Sequence, residues 1–242
     1  MIRIQNLSYR VGDRSVLKGL DLQVGTGQYF ALAGENGAGK STLIRIMLDL
    51  IRGVESGSVE IENNSRTQIE ARANLAYLPE KFEVNTNVSG WRYLKFVFAM
   101  YNMDFNRQRV EHYCRAMSFA IERLDDRVSG YSKGMKQKLG LVSCFMLEKP
   151  LMILDEPLSG LDPSARYRFK SLLENYRTEQ RTIFYSTHML ADAEDICDRF
   201  AILHQGRILF EGTPVECKTR FDAASLEQAY MKCISGSVSP AQ

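Results

Sequence analysis

The spacing of apolar residues along the chain changes between that of β-strands and that of helices. Residues 2–33 alternate apolar and polar positions between glycine turns, which predicts strands. From Leu43 to Ile51 apolar residues recur at helical spacing, which predicts one amphipathic helix broken at Arg52 and Gly53. Short apolar runs predict further strands at residues 55–61, 75–78, 151–154 and 182–186, and a hairpin at 200–210.

Residues 81–150 differ from the rest of the chain because helical spacing dominates there. One helix is predicted to begin near Ser132 and to run through Leu147, before Pro150. The segment therefore predicts an inserted helical subdomain. Most of its aromatic residues are expected in a core, and a minority could instead form a docking surface for a partner helix; they are Trp91, Tyr93, Phe96, Phe98 and Tyr101.

Residues 34–42 fit the pattern G-x-x-x-x-G-K-[ST] between a predicted strand and a predicted helix. Glycines let backbone N–H groups point at phosphate oxygens, and the helix N-terminus adds unpaired donors. Lys40 can reach the β- and γ-phosphates, and the Ser41 hydroxyl can bind Mg²⁺. The stretch predicts a nucleoside-triphosphate site formed by Gly34, Glu35, Asn36, Gly37, Ala38, Gly39, Lys40, Ser41 and Thr42.

Two adjacent acids, Asp155 and Glu156, end the apolar run at residues 151–154. A buried strand that delivers carboxylates at its C-terminal end is how P-loop proteins hold Mg²⁺. Asp155 suits the metal, and Glu156 suits a general base that aligns or deprotonates the attacking water. The other interpretation, in which the acids cap the following helix, is disfavoured once the P-loop is accepted.

Two further side chains are candidates for contact with a nucleotide. His188 follows a strand-like run, and in a chain with a P-loop and an acidic strand this position favours a γ-phosphate contact. Tyr9 could stack on an adenine ring or could be a half-buried strand aromatic, and its position alone does not separate the two.

Charge and cysteine content narrow the class of protein. A net charge of +2 is too small to favour a nucleic-acid partner. The five cysteines show no C-x-x-C and no metal-like spacing, which indicates reduced thiols in a cytosolic protein. The N-terminus lacks the layout of a signal peptide, and no apolar run is long enough to cross a bilayer. A membrane role is therefore expected only through a partner chain.

Taken together, these stretches resemble the ATP-binding subunit of an ABC transporter, to about residue 215. Residues 34–42 match Walker A, 151–156 match Walker B, 159–162 match the D-loop, and His188 matches the switch histidine. Tyr9 lies where the family's adenine-stacking aromatic lies, so the resemblance favours stacking. The implied fold class is α/β, a P-loop NTPase with a RecA-like core, an N-terminal antiparallel β subdomain and an inserted helical subdomain.

The resemblance also implies domain limits and a variant signature. An ABC-type ATPase domain would span residues 1–220, with a helical signature subdomain at 81–150 and a C-terminal helix and frayed tail at 221–242. The family signature, usually Leu-Ser-Gly-Gly-Gln, is here Tyr-Ser-Lys-Gly-Met at residues 131–135. By resemblance Ser132 and Gly134 touch the γ-phosphate held by the opposite subunit. The departures at Lys133 and Met135 look like exporter-type subfamilies.

Glu80 stands where the family has its Q-loop glutamine. Its carboxylate can also offer an oxygen to Mg²⁺ or water, although the added negative charge could slow closure. The ligands implied for Mg²⁺ are Ser41, Asp155 and Glu80.

The resemblance implies a mechanism and partners as well. Two such subunits, identical or different, would hold ATP between the P-loop of one and the signature of the other, and Asp162 would link the two sites. The catalytic groups would be Lys40, Glu156 and His188, with ATP and Mg²⁺ as cofactors. The pair would drive an integral membrane permease, in export, from the cytoplasmic face of the inner (plasma) membrane. No nucleic-acid partner is expected.

Two other functions compete with this interpretation. One is a soluble ABC ATPase in iron–sulfur cluster assembly or on ribosomes; a single P-loop without a repeat disfavours the ribosomal type, and the variant signature mildly disfavours the other. The second is a GTPase-like switch. The chain lacks an Asn-Lys-x-Asp loop, and Glu156 directly after Asp155 favours hydrolysis over a slow switch.

Overall fold

A computed structural model describes residues 1–84 and 87–237 of the chain. Ten strands and nine α-helices lie within these residues. The strands are β1 (Ile2–Val11), β2 (Arg14–Val24), β3 (Tyr29–Ala33), β4 (Ser56–Ile61), β5 (Asn64–Ser65), β6 (Leu75–Leu78), β7 (Leu151–Leu154), β8 (Thr182–Thr187), β9 (Arg199–His204) and β10 (Arg207–Gly212). The helices are α1 (Lys40–Met47), α2 (Glu70–Ala73), α3 (Gly90–Met100), α4 (Arg107–Ala116), α5 (Lys133–Phe145), α6 (Pro163–Tyr176), α7 (Leu190–Ile196), α8 (Pro214–Arg220) and α9 (Leu226–Ser237), with short 3-10 helices at Ile121–Asp125 and Val128–Gly130.

The larger sheet in this part of the chain has the strand order β10-β9-β3-β8-β7-β6. Its strands pair in parallel except for the antiparallel hairpin of β9 and β10. All residues of β3, β7 and β8 are buried, as expected for parallel strands covered on both faces. The carboxyl ends of these three neighbouring strands lie at one edge of the sheet, where α/β proteins bind ligands.

The smaller sheet is antiparallel, in the order β2-β1-β4-β5. Its apolar face and α1 share one core with Phe30 and Leu32 of β3, whereas Tyr29 and Ala31 face a second core on the other side of the larger sheet. This alternation along β3 explains how one short strand joins both cores. The predicted P-loop NTPase fold with an N-terminal antiparallel sheet is confirmed.

The helices α3, α4 and α5 lie between β6 and β7 in the chain and pack on the second core. Serine side chains cap α3 and α5: Ser89 accepts a hydrogen bond from the Arg92 N–H, and Ser132 accepts one from the Met135 N–H. The predicted core role of most aromatic residues is confirmed. Phe98 is fully buried, Trp91, Tyr93 and Tyr101 pack partly buried against the core, and Phe96 is 59% exposed.

The helix after the P-loop is shorter than predicted: α1 ends at Met47 and not at Ile51. Arg66 explains this end: its guanidinium donates to the Asp49 carboxylate, to the Ile46 carbonyl in the last turn of α1 and to the Ile51 carbonyl beyond it. Asp49 adopts a left-handed φ of +57° there, which a continuing helix does not allow. Leu50, predicted on the apolar face, is 64% exposed.

The last described helix, α9, packs its residues Leu226, Ala229 and Cys233 into the second core. The tail predicted to fray from Ser235 is helical through Ser237, and residues 238–242 lie outside the described residues. Among the helices of residues 1–84 and 87–237, none has both the length and the apolar character that a membrane span requires.

Candidate active site

The loop of residues 34–39 joins β3 to α1 and has glycine where no other residue fits. Gly39 has a φ of +114°, and a Cβ there would lie 2.8 Å from Leu17 Cδ2. A Cβ at Gly34 would collide with the Leu203 carbonyl oxygen. The loop therefore packs its backbone directly on β2 and β9, which fixes the position of the N-terminus of α1.

Lys40, the first residue of α1, is a buried cation at this loop. Its side chain is 5% exposed, and its ammonium donates to the Gly34 carbonyl at 2.6 Å and to the Glu35 carbonyl at 3.2 Å. The same Nζ lies 3.2 Å from Glu156 Oε1. Lys40 thus touches both the loop and the acid at the end of β7.

The Glu156 carboxylate lies between the Lys40 ammonium and the His188 imidazole. Its Oε2 is 2.8 Å from His188 Nδ1, while Oε1 is buried without a hydrogen-bond partner among the described residues and meets Lys40 as an ion pair. Its backbone has a φ of +50°, rarely adopted by residues other than glycine, and its N–H donates to Ser186 Oγ at 2.9 Å. The strained backbone aims the carboxylate at the P-loop.

Asp155, the preceding residue, is almost fully buried. The Ser186 hydroxyl donates to its Oδ1 at 2.5 Å. Burial raises the pKa of this carboxyl, hydrogen bonds from Ser186 and Ser41 lower it, and the negative charges of Glu80 and Glu156 raise it again, with a net rise. A nearby cation would relieve this cost of ionisation.

The donors around Asp155 are those that Mg²⁺ prefers, namely hydroxyl and carboxylate oxygens. Ser41 contacts Asp155 directly, and Glu80 is close enough to affect its titration. Among the described residues, no group of three His, Cys, Asp or Glu side chains forms a metal site. The residues fit an ion that takes one or two protein oxygens and completes its shell with phosphate and water, as Mg²⁺ commonly does.

A cavity of about 450 Å³ opens over the P-loop. Tyr9 is not among its lining residues: its ring packs partly buried against the core under the smaller sheet. Val11, 58% exposed, and Arg14 line the cavity from the β1–β2 hairpin. Tyr9 therefore lies outside the lining of this cavity, and its stacking on adenine stays a prediction. The other lining residues are Val16, Glu35, Asn36, Gly37, Gly39, Lys40, Ser41, Thr42, Glu80 and Glu156.

His188 and Gly34 line a neighbouring cavity of about 230 Å³, together with Glu35 and Asn36. Leu190 and Tyr230 complete its wall. Of the predicted site residues, the structure therefore gathers the P-loop, Glu80, the two acids and His188 in one region.

The signature and D-loop residues do not line the P-loop cavity. Ser132 caps α5, and the Lys133 side chain lies against Gly160 of the D-loop. Asp162 caps α6, where its carboxylate accepts a hydrogen bond from the Ala165 N–H at 2.8 Å. Within one chain, Ser132, Lys133, Gly134, Met135 and Asp162 thus have local structural contacts and no access to that cavity.

Comparison with known families agrees with this geometry. The family model described as ABC transporter matches residues 17–159, which include the P-loop, both acids and the signature. The chain belongs to the ABC transporter family. A solved structure described as the ATP-binding subunit of an ABC transporter is 31% identical, with a TM-score of 0.87 over 97% of this chain and 99% of that one. The family predicted from the motifs is confirmed.

Two curated relatives place the chain among ABC ATP-binding proteins. It is 32% identical over 203 residues to an uncharacterized ABC transporter ATP-binding protein of Synechocystis, covering 83% of this chain and 57% of that protein. It is 30% identical over 212 residues to a lantibiotic transport ATP-binding protein of Streptococcus pyogenes, covering 87% and 90%. The chain spans less than two thirds of the length of the first curated relatives it matches.

Sequence reasoning missed three residues of this site. Ser186 joins Asp155 to the Glu156 backbone, and its only signal is a hydroxyl at the end of an apolar run. Val11 and Arg14 line the cavity, but they belong to a hairpin turn that carries no motif. Their roles emerge from tertiary contacts.

Proposed function

We propose that the chain binds and hydrolyses ATP and thereby energises a separate membrane permease for export. The observation that carries the proposal is the meeting of Lys40, Glu156 and His188 beside the P-loop cavity, at 3.2 Å and 2.8 Å. A phosphate-binding loop with a buried ammonium and a carboxylate aimed at it is suited to phosphoryl transfer to water. Membership of the family supports the same reaction.

In this proposal the P-loop N–H groups and Lys40 bind the triphosphate and offset its charge. Glu156 orients a water molecule and accepts its proton while the water oxygen bonds to the γ-phosphorus and the bond to the bridging oxygen breaks, which gives ADP and phosphate. His188 contacts the γ-phosphate. Ser41 and Asp155, with Glu80 nearby, would hold Mg²⁺, which neutralises phosphate charge when bound.

The site is incomplete in one chain if the signature contributes to catalysis, because Ser132 and Gly134 lie outside the cavity. We therefore include a second ATPase subunit, identical or different, whose signature covers the nucleotide and whose Asp162 links the two sites. In this arrangement residues 1–220 form the ATPase domain, with the signature subdomain at 81–150.

A permease partner places the chain at the cytoplasmic face of the plasma membrane. Its support is the similarity to the lantibiotic transport ATP-binding protein, which covers 90% of that relative, and to the solved ATP-binding subunit. The export direction is supported by the similarity to a Nod factor export ATP-binding protein of Rhizobium meliloti, 32% identical over 226 residues, and by the Ser-Lys-Gly-Met form of the signature.

The first test measures nucleotide binding and phosphate release by the purified chain. Lys40→Ala is expected to lose ATP affinity, and Lys95→Ala, an exposed lysine on α3, serves as the matched control. Wild-type affinity in Lys40→Ala would contradict the proposed site.

The second test identifies the partner protein. Glu156→Gln with ATP is used to isolate complexes from mildly solubilised membranes, with mass spectrometry as the readout. A co-purifying polytopic membrane protein supports transport. Recovery of soluble proteins alone would overturn the permease and favour an assembly factor.

A further inference from the structure

Arg166, in the first turn of α6, contacts two segments of the chain, the D-loop and the turn that follows β8. Its Nε donates to the Leu161 carbonyl of the D-loop at 3.3 Å, and its NH1 lies 3.0 Å from the Met189 sulfur. Met189 directly follows His188. One side chain therefore connects the loop that precedes α6 with the turn that carries the switch histidine.

The turn that carries His188 is also held by the backbone, since the Ala193 N–H donates to the Met189 carbonyl at 3.3 Å and the Gly34 N–H donates to the Thr187 carbonyl at 3.2 Å. Thr187 Oγ1 accepts a hydrogen bond from the Met189 N–H at 2.9 Å, which closes the turn on itself. The ring of His188 projects from this turn to Glu156. Because Met189 is the next residue in the chain, we expect a shift of Met189 to move the imidazole relative to the carboxylate.

Arg166 also lies near a buried negative charge, the carboxylate of Asp192 on α7, whose side chain is 7% exposed. Lys170, one turn after Arg166 on α6, contacts its Oδ1 at 2.8 Å. Asp192 Oδ2 is buried, has no hydrogen-bond partner among the described residues, and lies 3.6 Å from Arg166 NH1. Two cations on α6 thus share one carboxylate, but only Arg166 also contacts the D-loop and Met189.

A guanidinium suits this position because its rigid fork presents donors in several directions at once. It can bond the Leu161 carbonyl and Met189 while it stays near Asp192. An ammonium at this place keeps the charge, but its donors come from a single nitrogen, whereas Arg166 uses Nε for the Leu161 carbonyl and NH1 for Met189. The chemistry of the side chain therefore matters beyond its charge.

We propose that Arg166 is a positioning residue for hydrolysis, which holds His188 against Glu156 and makes that contact depend on the position of the D-loop. The inference rests on the proposed function. A displacement of Leu161 is passed through the guanidinium to Met189, and from there to the imidazole. The D-loop of a chain would in this way influence the catalytic groups of its own P-loop site.

The test compares Arg166→Met with Lys170→Met, a matched control. Each variant removes one cation from Asp192, so both are expected to lower thermal stability. Only Arg166→Met is expected to reduce kcat, about tenfold, with the KM for ATP within about threefold, because a misplaced catalytic group slows chemistry more than binding. Lys170→Met is expected to keep kcat within about twofold.

A double-mutant cycle with His188→Ala separates positioning from general packing. If Arg166 acts through His188, Arg166→Met causes no further loss of kcat in the His188→Ala background. Equal losses of kcat in Arg166→Met and Lys170→Met, or full additivity in the cycle, would overturn the inference.

Arg166→Lys repeats the cycle with the charge retained, and it replaces Arg166→Met should that variant fail to fold. A kcat for Arg166→Lys about tenfold below that of the wild type supports the need for a guanidinium, and full recovery of the wild-type kcat contradicts it. Failure of the proposed function is a separate result, in which the wild-type chain releases no phosphate from ATP.

Discussion

His188 Nδ1 lies 2.8 Å from Glu156 Oε2, and the two residues come from the ends of the adjacent strands β8 and β7. An ionised carboxylate can only accept, so the imidazole donates this hydrogen bond. Lys40 approaches the other oxygen of the same carboxylate at 3.2 Å. Glu156 is therefore oriented from two sides, as a positioned general base requires.

Glu156→Gln tests the general base. The amide keeps the size of the side chain but cannot accept a proton from water, so kcat is expected to fall by about 10² to 10⁴. ATP affinity should stay within a few fold, and a stable ATP-bound dimer should accumulate, visible by size-exclusion chromatography. Glu55→Gln, at a surface ion pair with Arg10, is the control. An unchanged turnover in Glu156→Gln would refute the role of the carboxylate.

The second prediction concerns which side chain contacts the base of the nucleotide. Because Tyr9 packs on the core and Val11 lines the cavity, Tyr9→Phe should bind ATP as the wild type does. Val11→Tyr should bind ATP about fivefold or more tightly, since stacking of a base on an aromatic ring contributes about 1–3 kcal/mol. Calorimetric titration measures both. Tyr9→Ala separates stacking on the base from packing in the core. A tenfold loss of ATP affinity in a folded Tyr9→Ala variant would identify Tyr9 as the residue that stacks on the base.

Glu80→Gln is expected to keep or raise the ATPase rate. Glu80 lines the cavity, and its negative charge adds to that of Asp155 and Glu156 where phosphate would bind. The amide retains an oxygen ligand and removes one charge. Phosphate release is the readout, and Glu83→Gln, at an exposed position outside the cavity, is the control. A loss beyond tenfold would show that the carboxylate itself is required.

The buried thiols predict how stability depends on pH. Burial raises the pKa of Cys144 from 9.0 to about 12 and that of Cys217 to about 11. The unfolded chain releases these protons near pH 9 while the folded chain retains them. The stabilisation is therefore complete below pH 9 and falls as the pH rises towards 11.

Urea denaturation between pH 8 and 11 measures this effect. In Cys144→Ala the free energy of unfolding should fall less steeply with pH, by up to about 1.4 kcal/mol per pH unit. An identical slope in wild type and variant would contradict the shift. All five cysteines are free thiols in the structure: Cys114, Cys144, Cys197, Cys217 and Cys233.

The parts of the site that could be predicted are those that the chain presents locally. Residues 34–42 carry their conformation in glycine spacing, and Asp155 and Glu156 follow a short apolar run that is typical of a buried strand. Since parallel strands end at one edge of a sheet, His188 could be expected beside them. Most of the catalytic candidates therefore lie at strand ends, which can be predicted from local sequence.

The parts that could not be predicted depend on register and on distant contacts. β1 shifts its pairing with β2 between Leu7 and Tyr9 and again between Tyr9 and Arg10, so counting along the strand did not show which residue reaches the cavity. The end of α1 depends on Arg66, which approaches from another element. Arg166 and Ser186 act through partners more than twenty residues away, for which a single sequence has no signal.

The position of β8 between β3 and β7 has a consequence for synthesis of the chain. β8 supplies Ser186 and leads to His188, and it is made long after the P-loop and after the acids of β7. Until β8 inserts, β3 and β7 have no common neighbour among the described strands, because in that part of the chain the other partner of β3 is β9, which is made later still. Domains fold as units as they leave the ribosome. A nascent or truncated chain that stops before β8 thus carries the phosphate loop without an assembled catalytic centre, so the ability to split ATP is gained only when nearly the whole domain has been translated.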